Sequence, residues 1–342
     1  MTVENMADAP RVIISGFADE ASYHKTAVEQ FAAFAALGLQ YYSIRFMDAG
    51  WGVKNVMQLS AAEIKKIRRL QNEYGMKVSS IGSPIGKVKI KDIEDGTGNV
   101  FVPLKKYLNR EVKKACQLAH AFETQLIRGF SFYHPKGTDP RDYLSQAVDQ
   151  LGQIAEVCHK EDVTFGLEIE ANLIGSTGQL LAEIHKLVNS PAMMLVFDAG
   201  NVVTQGCPAG EVFAQYLAMK SGLGWMHIKD YRHARPVQKK AHVDEDALAN
   251  FVPAGLGEGA HKQILCDFKR VLPSLEKKLR RRGIPGVFLD LEPHLKGGGQ
   301  FGGRSGPDGM GVALRALCRL LDDVGIDYHL RDFADIKAAR DF

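Results

Sequence analysis

Four side chains of metal-binding types follow four separate apolar runs in the second half of the chain. They are Glu168, Asp198, His227 and Glu292. Three carboxylates and an imidazole gathered at one place would repel one another and would be costly to desolvate, so a divalent cation is the partner that all four could share. Oxygen-rich ligation with one imidazole suits Mn²⁺ or Mg²⁺, and Zn²⁺ or Co²⁺ stays open because such sites also accept them. The sequence therefore predicts one divalent metal site, with Mn²⁺ as the preferred ion.

The run that carries Glu168 indicates how these side chains are positioned. Successive side chains of a strand point to opposite faces, so the apolar odd-numbered residues 163–169 share one face, and Gly166, Glu168 and Glu170 share the other. A strand that is apolar on one face and acidic at the end of the other suits a β/α barrel, whose active site lies at the carboxyl ends of its strands. Glu170 has the parity of Glu168 and competes with it as the first ligand.

The rest of the chain supplies the elements for such a barrel. Short β-rich runs alternate with longer helical patterns from residue 11 onward, which predicts βα units and a parallel sheet. Eight strands are predicted at residues 12–17, 41–46, 77–81, 125–132, 163–170, 192–198, 223–229 and 286–292. Eight is the number that closes a barrel, so the predicted fold class is α/β, a (β/α)8 TIM barrel.

Helices and loops complete the prediction. In the first half, helices are predicted at residues 24–37, 61–74, 104–122 and 141–159, and the second begins with Ser60 as N-cap and Glu63 at the capping-box position. Long loops follow strands 3, 7 and 8, and the last two cover residues 230–258 and 293–309. Loops of this length in compact domains are often functional. The glycine-rich residues 294–304 favour positive φ or close approach to a ligand, although a floppy surface loop has the same composition.

Composition favours one large catalytic domain. We expect a disordered N-terminus at residues 1–10, a single barrel domain at 11–325 and a C-terminal extension at 326–342. The formal charge of +3 is too small to indicate a polyanionic partner, and the basic residues 277–282 are interpreted as a solvated helix end, so no nucleic acid is expected. Five scattered cysteines, no signal peptide and no membrane-spanning segment predict a cytoplasmic protein.

Several motifs resemble a known family. They are GFADE at 16–20, SPIGK at 83–87, RGFSF at 128–132, VFDAGN at 196–201, HIKD at 227–230, residues 253–259 and LEPHL at 291–295. In this order they are similar to the sugar phosphate isomerase/epimerase family with its xylose isomerase-like TIM barrel, including the branch of 3-oxo-glycoside and C-glycoside deglycosidase catalytic subunits. The resemblance implies Glu168, Asp198, His227 and Glu292 as metal ligands.

The resemblance also implies roles for individual residues. In the epimerases of this family the two metal-binding glutamates form the acid/base pair, which here are Glu168 and Glu292. Those epimerases commonly have a histidine three residues after the metal-binding aspartate, where this chain has Asn201. Lys229 and His134 are further catalytic candidates, the first as a cation beside His227 and the second as an imidazole proton shuttle. The candidate substrate-binding residues are Arg45, Lys87, Arg128, Glu170, Asn172, Asn201, His294 and Arg304.

These expectations support two related enzyme functions and one non-catalytic alternative. The first is a metal-dependent carbohydrate isomerase or epimerase that removes an α-proton and forms a metal-stabilised enediolate. The second is a lyase that cleaves 3-oxo-glycosides by elimination from the same carbanion, with a small partner subunit or an oligomer neighbour over the mouth. The third is a sugar-binding barrel without activity. A family member that cuts DNA would need a basic groove, which this sequence lacks.

Overall fold

Eight parallel strands form the centre of the computed structural model, which describes residues 11–235, 238–240, 242–299 and 302–340. The strands are β1 (Ile13–Gly16), β2 (Tyr41–Ile44), β3 (Lys77–Gly82), β4 (Leu126–Gly129), β5 (Thr164–Glu168), β6 (Met193–Asp198), β7 (Leu223–Ile228) and β8 (Phe288–Leu291). They pair in the order β1-β8-β7-β6-β5-β4-β3-β2, and a bridge between Phe17 and Ser43 joins the two ends. The predicted TIM barrel is confirmed.

Helices pack around the outside of the sheet. The main ones are α1 (Ala27–Ala36), α2 (Ala61–Glu73), α3 (Lys113–Ala121), α4 (Leu144–Lys160), α5 (Gly178–Val188), α6 (Ala209–Met219), α7 (His261–Arg280) and α8 (Gly306–Val324). A short helix, Ala199–Val203, follows β6, and the described chain ends in Phe333–Arg340. Their apolar faces meet the outward-facing side chains of the strands in one continuous core.

Local backbone geometry sets where the helices and strands begin and end. Several of these boundaries differ from the predicted ones. The helix predicted from residue 24 begins at Ala27, because Lys25 has a φ of +57° and the Thr26 side chain accepts a hydrogen bond from the Glu29 amide. The helix predicted at 104–122 is interrupted by a π-turn at Leu108–Val112. The strand predicted at 125–132 ends at Gly129, after which the Phe130 amide pairs with the carbonyl of Ile85 in a loop.

The barrel interior confirms the alternation predicted for β5. The ring of Trp225, an inward residue of β7, packs directly against Gly166, where a Cβ would overlap it. Phe165 and Leu167 are buried on the other face, against the helices. In the middle of the barrel, the inner face of β5 therefore has room only for a glycine. It is acidic only at its end.

Four long segments stand over the carboxyl ends of the strands. They are the hairpin Phe46–Asp48 with Val53–Asn55, the loop at 83–103, the β7 loop at 229–260 and the β8 loop at 292–305. Asp230 organises the β7 loop, since its carboxylate accepts hydrogen bonds of 2.9 Å from the amides of Gly255, Gly257 and Gly259. The loops predicted as long after strands 3, 7 and 8 are those that cover the mouth.

The first described residue, Arg11, and the segment around Asp327 and Arg331 lie at the opposite side of the barrel. Arg11 pairs with Asp327, and the Arg331 guanidinium donates to the carbonyls of Gly75 and Leu39, so the segment after residue 325 is attached to the barrel through at least Arg331. The predicted disorder of residues 1–10 lies outside the described residues. Across the described part of the chain, no helix combines the length and apolar character that crossing a membrane requires.

The predicted start of α2 supplies a stability test. The Glu63 amide donates to Ser60 Oγ at 3.3 Å and the Ser60 amide donates to Glu63 Oε2 at 2.8 Å, which completes the capping box. We expect Ser60→Ala to lower the free energy of unfolding by about 1 kcal/mol, because the first-turn amide loses its acceptor. Urea denaturation measures this, and Ser274→Ala, on the exposed face of α7, should change it by less than about 0.5 kcal/mol. Equal effects of the two substitutions would contradict the capping role.

Candidate metal centre and substrate pocket

The carboxyl ends of four neighbouring strands bring the four predicted ligands together. Glu168 ends β5, Asp198 ends β6, His227 lies one residue before the end of β7, and Glu292 directly follows β8. One atom from each lies within 4.8 Å of the others. The Nδ1 atom of His227 is 3.0 Å from Glu168 Oε1, 3.6 Å from Glu292 Oε2 and 4.0 Å from Asp198 Oδ2. Adjacent parallel strands thus bring together side chains that lie up to 124 positions apart in the sequence.

Burial makes the charges of this centre strongly interdependent. Burial raises the pKa of Asp198 to about 7; the neighbouring Glu292 and Glu168 add to the rise, and Lys229 and His227 oppose it without cancelling it. Burial alone would raise the pKa of Glu168 and lower that of His227. Their mutual attraction, together with Arg128 beside Glu168 and with Glu292 and Asp290 near His227, outweighs burial and shifts both pKa values in the opposite direction. Of the three carboxylates, Asp198 is therefore the one whose charged form its surroundings stabilise least.

The four residues fit a divalent cation. Three carboxylates and one imidazole are the donor types that Mn²⁺ and Mg²⁺ accept. Asp198 Oδ2 is buried and has no hydrogen-bond partner among the described residues, although the Lys229 ammonium lies 3.1 Å away. Lys229 also lies 3.0 Å from Glu292 Oε2, so its positive charge partly neutralises two of the four donors.

Local hydrogen bonds fix the orientation of the donors. Asp198 Oδ1 accepts the amide of Asn201 at 3.0 Å and so caps the short helix after β6, which leaves Oδ2 directed at the centre. The Asn201 side chain donates to Glu168 Oε1 at 3.2 Å and to the carbonyl of Ile169 at 3.0 Å. Asn201, predicted as a substrate-binding residue, therefore holds Glu168 while it also lines the pocket.

Arg45 belongs to a second buried charge network. Its guanidinium donates to Glu292 Oε1 at 2.6 Å and lies 3.3 Å from Glu20 Oε1. Glu20 in turn lies 2.8 Å from His294 Nδ1 and accepts the His294 amide at 2.9 Å. Glu20, Glu292 and His294 could also approach a metal ion, but the Arg45 guanidinium already lies between the two carboxylates. We therefore assign this group to the support of Glu292.

The glycine-rich β8 loop packs closely on these same side chains. Gly302 has a φ of +113°, and a Cβ there would lie 2.6 Å from the Arg45 guanidinium carbon. A Cβ at Gly303 would overlap the His294 ring. The positive φ predicted for this loop is present at Gly302, and the close packing observed at Gly302 and Gly303 is against side chains of the site.

A pocket of about 680 Å³ opens above the centre, within the usual size range of small-molecule sites. Its wall contains seven predicted functional residues besides the two glutamate ligands: Arg45, Lys87, Arg128, Glu170, Asn201, Lys229 and His294. Phe46, Phe130, Leu248 and Phe251 add an apolar part. Of the four ligand residues, Glu168 and Glu292 line this pocket, whereas Asp198 and His227 lie behind them.

Apart from the two metal-ligand candidates Asp198 and His227, three predicted functional residues do not line the pocket. His134 Nδ1 lies 3.1 Å from the carbonyl of Pro135 and 3.2 Å from Thr138 Oγ1, which ties its ring to its own loop. The Asn172 side chain binds the backbone of Val243. Arg304 is exposed, and its backbone pairs with Gly297 on the outer side of the β8 loop. The loops after β4, β5 and β8 turn these side chains away, which strand parity does not reveal.

Sequence reasoning gave no role to three buried acids near the site. Glu20 supports His294, and Glu245 enters the pocket from the β7 loop. Asp290 pairs in register with His227 on the neighbouring strand, and burial raises its pKa to about 6. The parity of Asp290 matches that of Glu292 and could have identified it, because both point into the barrel. Glu245 lies in a long loop that carries no comparable signal.

Comparison with known proteins gives the family. Residues 31–320 match the family model described as xylose isomerase-like TIM barrel. Because the match spans most of the chain, the protein belongs to this family, as the sequence motifs predicted. A search of curated proteins found no significant match.

Solved structures show the same fold at low sequence identity. D-psicose 3-epimerase with D-tagatose from Clostridium cellulolyticum H10 has a TM-score of 0.55 and 14% identity, over 92% of this chain and 98% of that one. A xylose isomerase-like TIM barrel protein from Mycobacterium smegmatis in complex with magnesium has a TM-score of 0.58 and 16% identity, over 96% and 97%. A xylose isomerase domain protein from Planctomyces limnophilus has a TM-score of 0.58 and 16% identity, over 92% and 97%.

The metal centre can be tested without any substrate. We expect Glu168→Gln and Asp198→Asn to weaken Mn²⁺ binding by more than the roughly 10–100-fold that loss of an outer hydrogen-bond partner costs, since each removes a charged donor. Isothermal titration calorimetry with MnCl₂ measures this. Glu183→Gln, a carboxylate-to-amide change on the exposed face of α5, is the matched control and should leave binding unchanged. Undiminished affinity in both centre variants would show that the ion binds elsewhere.

Proposed function

We propose that the protein is a divalent-metal-dependent carbohydrate isomerase or epimerase that acts by α-proton abstraction. The observation that carries the proposal is the arrangement of the centre: of its four residues, only the two glutamates line the pocket. Two carboxylates that face a substrate from different strands can act as a pair, in which one removes a proton and the other returns one. Similarity in fold to an epimerase and to a magnesium complex supports the same conclusion.

The neighbours of the two glutamates suit them to proton transfer. Glu168 is oriented by Asn201, with the guanidinium of Arg128 at 3.5 Å. Glu292 is held by Arg45 and Lys229, and these cations outweigh burial and keep its pKa well below the usual value. Glu168 and Glu292 are thus charged and fixed in place before substrate binds, as general bases need to be.

A divalent cation bound by Glu168, Asp198, His227 and Glu292 would draw electron density from a carbonyl and its neighbouring hydroxyl, and so stabilise the charge that develops when the α-proton leaves. Lys229 contributes a fixed positive charge beside Glu292, because its carboxylate neighbours raise its pKa well above the usual value despite burial. Return of the proton to the same carbon from the other side gives epimerisation. Return to the adjacent carbon gives isomerisation.

The proposal is tested by incubation of the Mn²⁺-loaded protein with a panel of ketopentoses and ketohexoses in D₂O. We expect deuterium at the carbon next to the carbonyl in at least one sugar, seen by NMR and mass spectrometry. Glu168→Gln and Glu292→Gln should each lower the exchange rate by about 100-fold or more, the usual contribution of a general acid or base. Glu183→Gln serves again as the control. Metal binding without exchange in any sugar would favour a non-catalytic sugar-binding barrel.

A second candidate is a lyase that cleaves 3-oxo-glycosides, in which the same carbanion expels a leaving group from its β-carbon. The apolar part of the pocket favours it, because Phe130, Leu248 and Phe251 offer a surface for an aglycone. Release of aglycone from a 3-oxo-glucoside, with no deuterium exchange into simple ketoses, would support this candidate over the first.

Three further expectations complete the proposal. We expect Mn²⁺ as the preferred ion, which activity after chelation and reloading with single metals measures. We expect a homo-oligomer or a complex with a small partner subunit, which mass photometry of the native complex measures. The five cysteines, free in the structure, suit the reducing cytoplasm that we propose as its location.

A further inference from the structure

A second polar group lies in the wall of the pocket, built by three different loops. Lys87 comes from the loop after β3, Glu170 follows β5, and Glu245 comes from the β7 loop. Lys87 Nζ lies 3.4 Å from Glu170 Oε2 and 4.0 Å from Glu245 Oε2. It also lies 4.6 Å from the centre of the Phe130 ring. All three polar side chains line the pocket while being largely buried.

The position of Glu245 is fixed by Asn172. The amide and carbonyl of Val243 pair with the Asn172 side chain, each at 2.9 Å. The Asn172 amide group also donates to Glu245 Oε1 at 3.2 Å. Asn172 itself has a φ of +63°, a conformation that asparagine tolerates better than most residues. The β7 loop is thereby attached to the end of β5, and Glu245 is held against the pocket.

The charges of the pocket wall argue for an uncharged ligand. Each of its four lysine and arginine side chains has a carboxylate within 3.5 Å. A phosphate would have to displace one of these carboxylates, and near Lys87 it would meet both Glu170 and Glu245. Sugar hydroxyls can instead donate to the carboxylates and accept from the ammonium without adding charge.

We infer that Lys87, Glu170 and Glu245 form a subsite for the hydroxyl groups of a neutral sugar, beyond the carbons that react at the metal centre. This inference rests on the proposed function and names its substrate class. The subsite selects a polyhydroxylated ligand over one that is phosphorylated or deoxygenated at that end. Because Asn172 holds Glu245 in place, Asn172 acts as a positioning residue.

Binding to the Mn²⁺-loaded full-length protein tests the subsite. The probes are the ketose of the panel that binds most tightly, its analogue deoxygenated at the carbon farthest from the carbonyl, and its phosphate ester at that carbon. We expect the unmodified protein to bind the neutral ketose about tenfold or more tightly than either analogue, because hydrogen bonds to charged groups are lost or a like charge is added.

Variants separate the subsite from the metal centre. Glu245→Gln and Lys87→Met should each weaken ketose binding by about tenfold, raise KM more than they lower kcat, and remove most of the discrimination against the deoxy analogue. Asn172→Ala should have a smaller effect in the same direction. Asp244→Asn, the neighbouring exposed carboxylate of the same loop, is the matched control and should change nothing. Mn²⁺ affinity should stay the same in all four, and the thermal midpoint of unfolding should fall clearly only in Asn172→Ala, which loses its hydrogen bonds to the β7 loop at a positive φ.

The outcomes distinguish the two proposals. Ketose binding that is unaffected in both Glu245→Gln and Lys87→Met overturns the subsite and leaves the proposed function standing. Tighter binding of the phosphate ester than of the neutral ketose overturns the inferred substrate class. If no sugar of the panel binds the unmodified protein, the proposed function fails, and the subsite fails with it.

Discussion

Repulsion among buried carboxylates is the constraint on which the architecture of the barrel mouth depends. Glu168, Asp198 and Glu292 come within a few ångströms of one another while being almost fully buried. In such surroundings the charged form of each raises the energy of the others. Burial raises the pKa of Asp198 to about 7, Glu292 and Glu168 add to the rise, and Lys229 and His227 do not cancel it. A divalent cation bound at this centre would offset the repulsion among the carboxylates, and its binding would link the stability of the mouth to its chemistry.

The interior of the barrel below these charged side chains is densely packed, and this packing supports them. Trp225 fills the middle of the barrel against Gly166, and the donors sit one layer higher, where the strands end. Each donor is then fixed by a partner on another element, as Asn201 fixes Glu168 and Arg45 fixes Glu292. The packed layer below and the hydrogen bonds that hold the carboxylates give the preorganised geometry that metal and proton-transfer chemistry require.

The loops divide the pocket into two parts with different physical character. Near the strand ends, orientation comes from the sheet and from short hydrogen bonds to the backbone. Farther up, Lys87, Glu170 and Glu245 are brought together by loops that are joined through Asn172. The first part suits chemistry common to a family, and the second suits selection among substrates, since loops vary while the scaffold holds its geometry.

The sequence by itself determined the barrel, its eight strands and the four residues that meet at its mouth as candidate metal ligands. It could do so because alternation along a strand is local, and the ends of parallel strands meet at one edge. The tertiary structure alone decided that Asn201 braces Glu168, that His134, Asn172 and Arg304 turn away from the pocket, and that Glu20 and Glu245 enter the network. These outcomes depend on the paths of loops and on contacts between residues such as Arg45 and Glu292, 247 positions apart. No local periodicity encodes such contacts, because they follow from packing among all the segments at once.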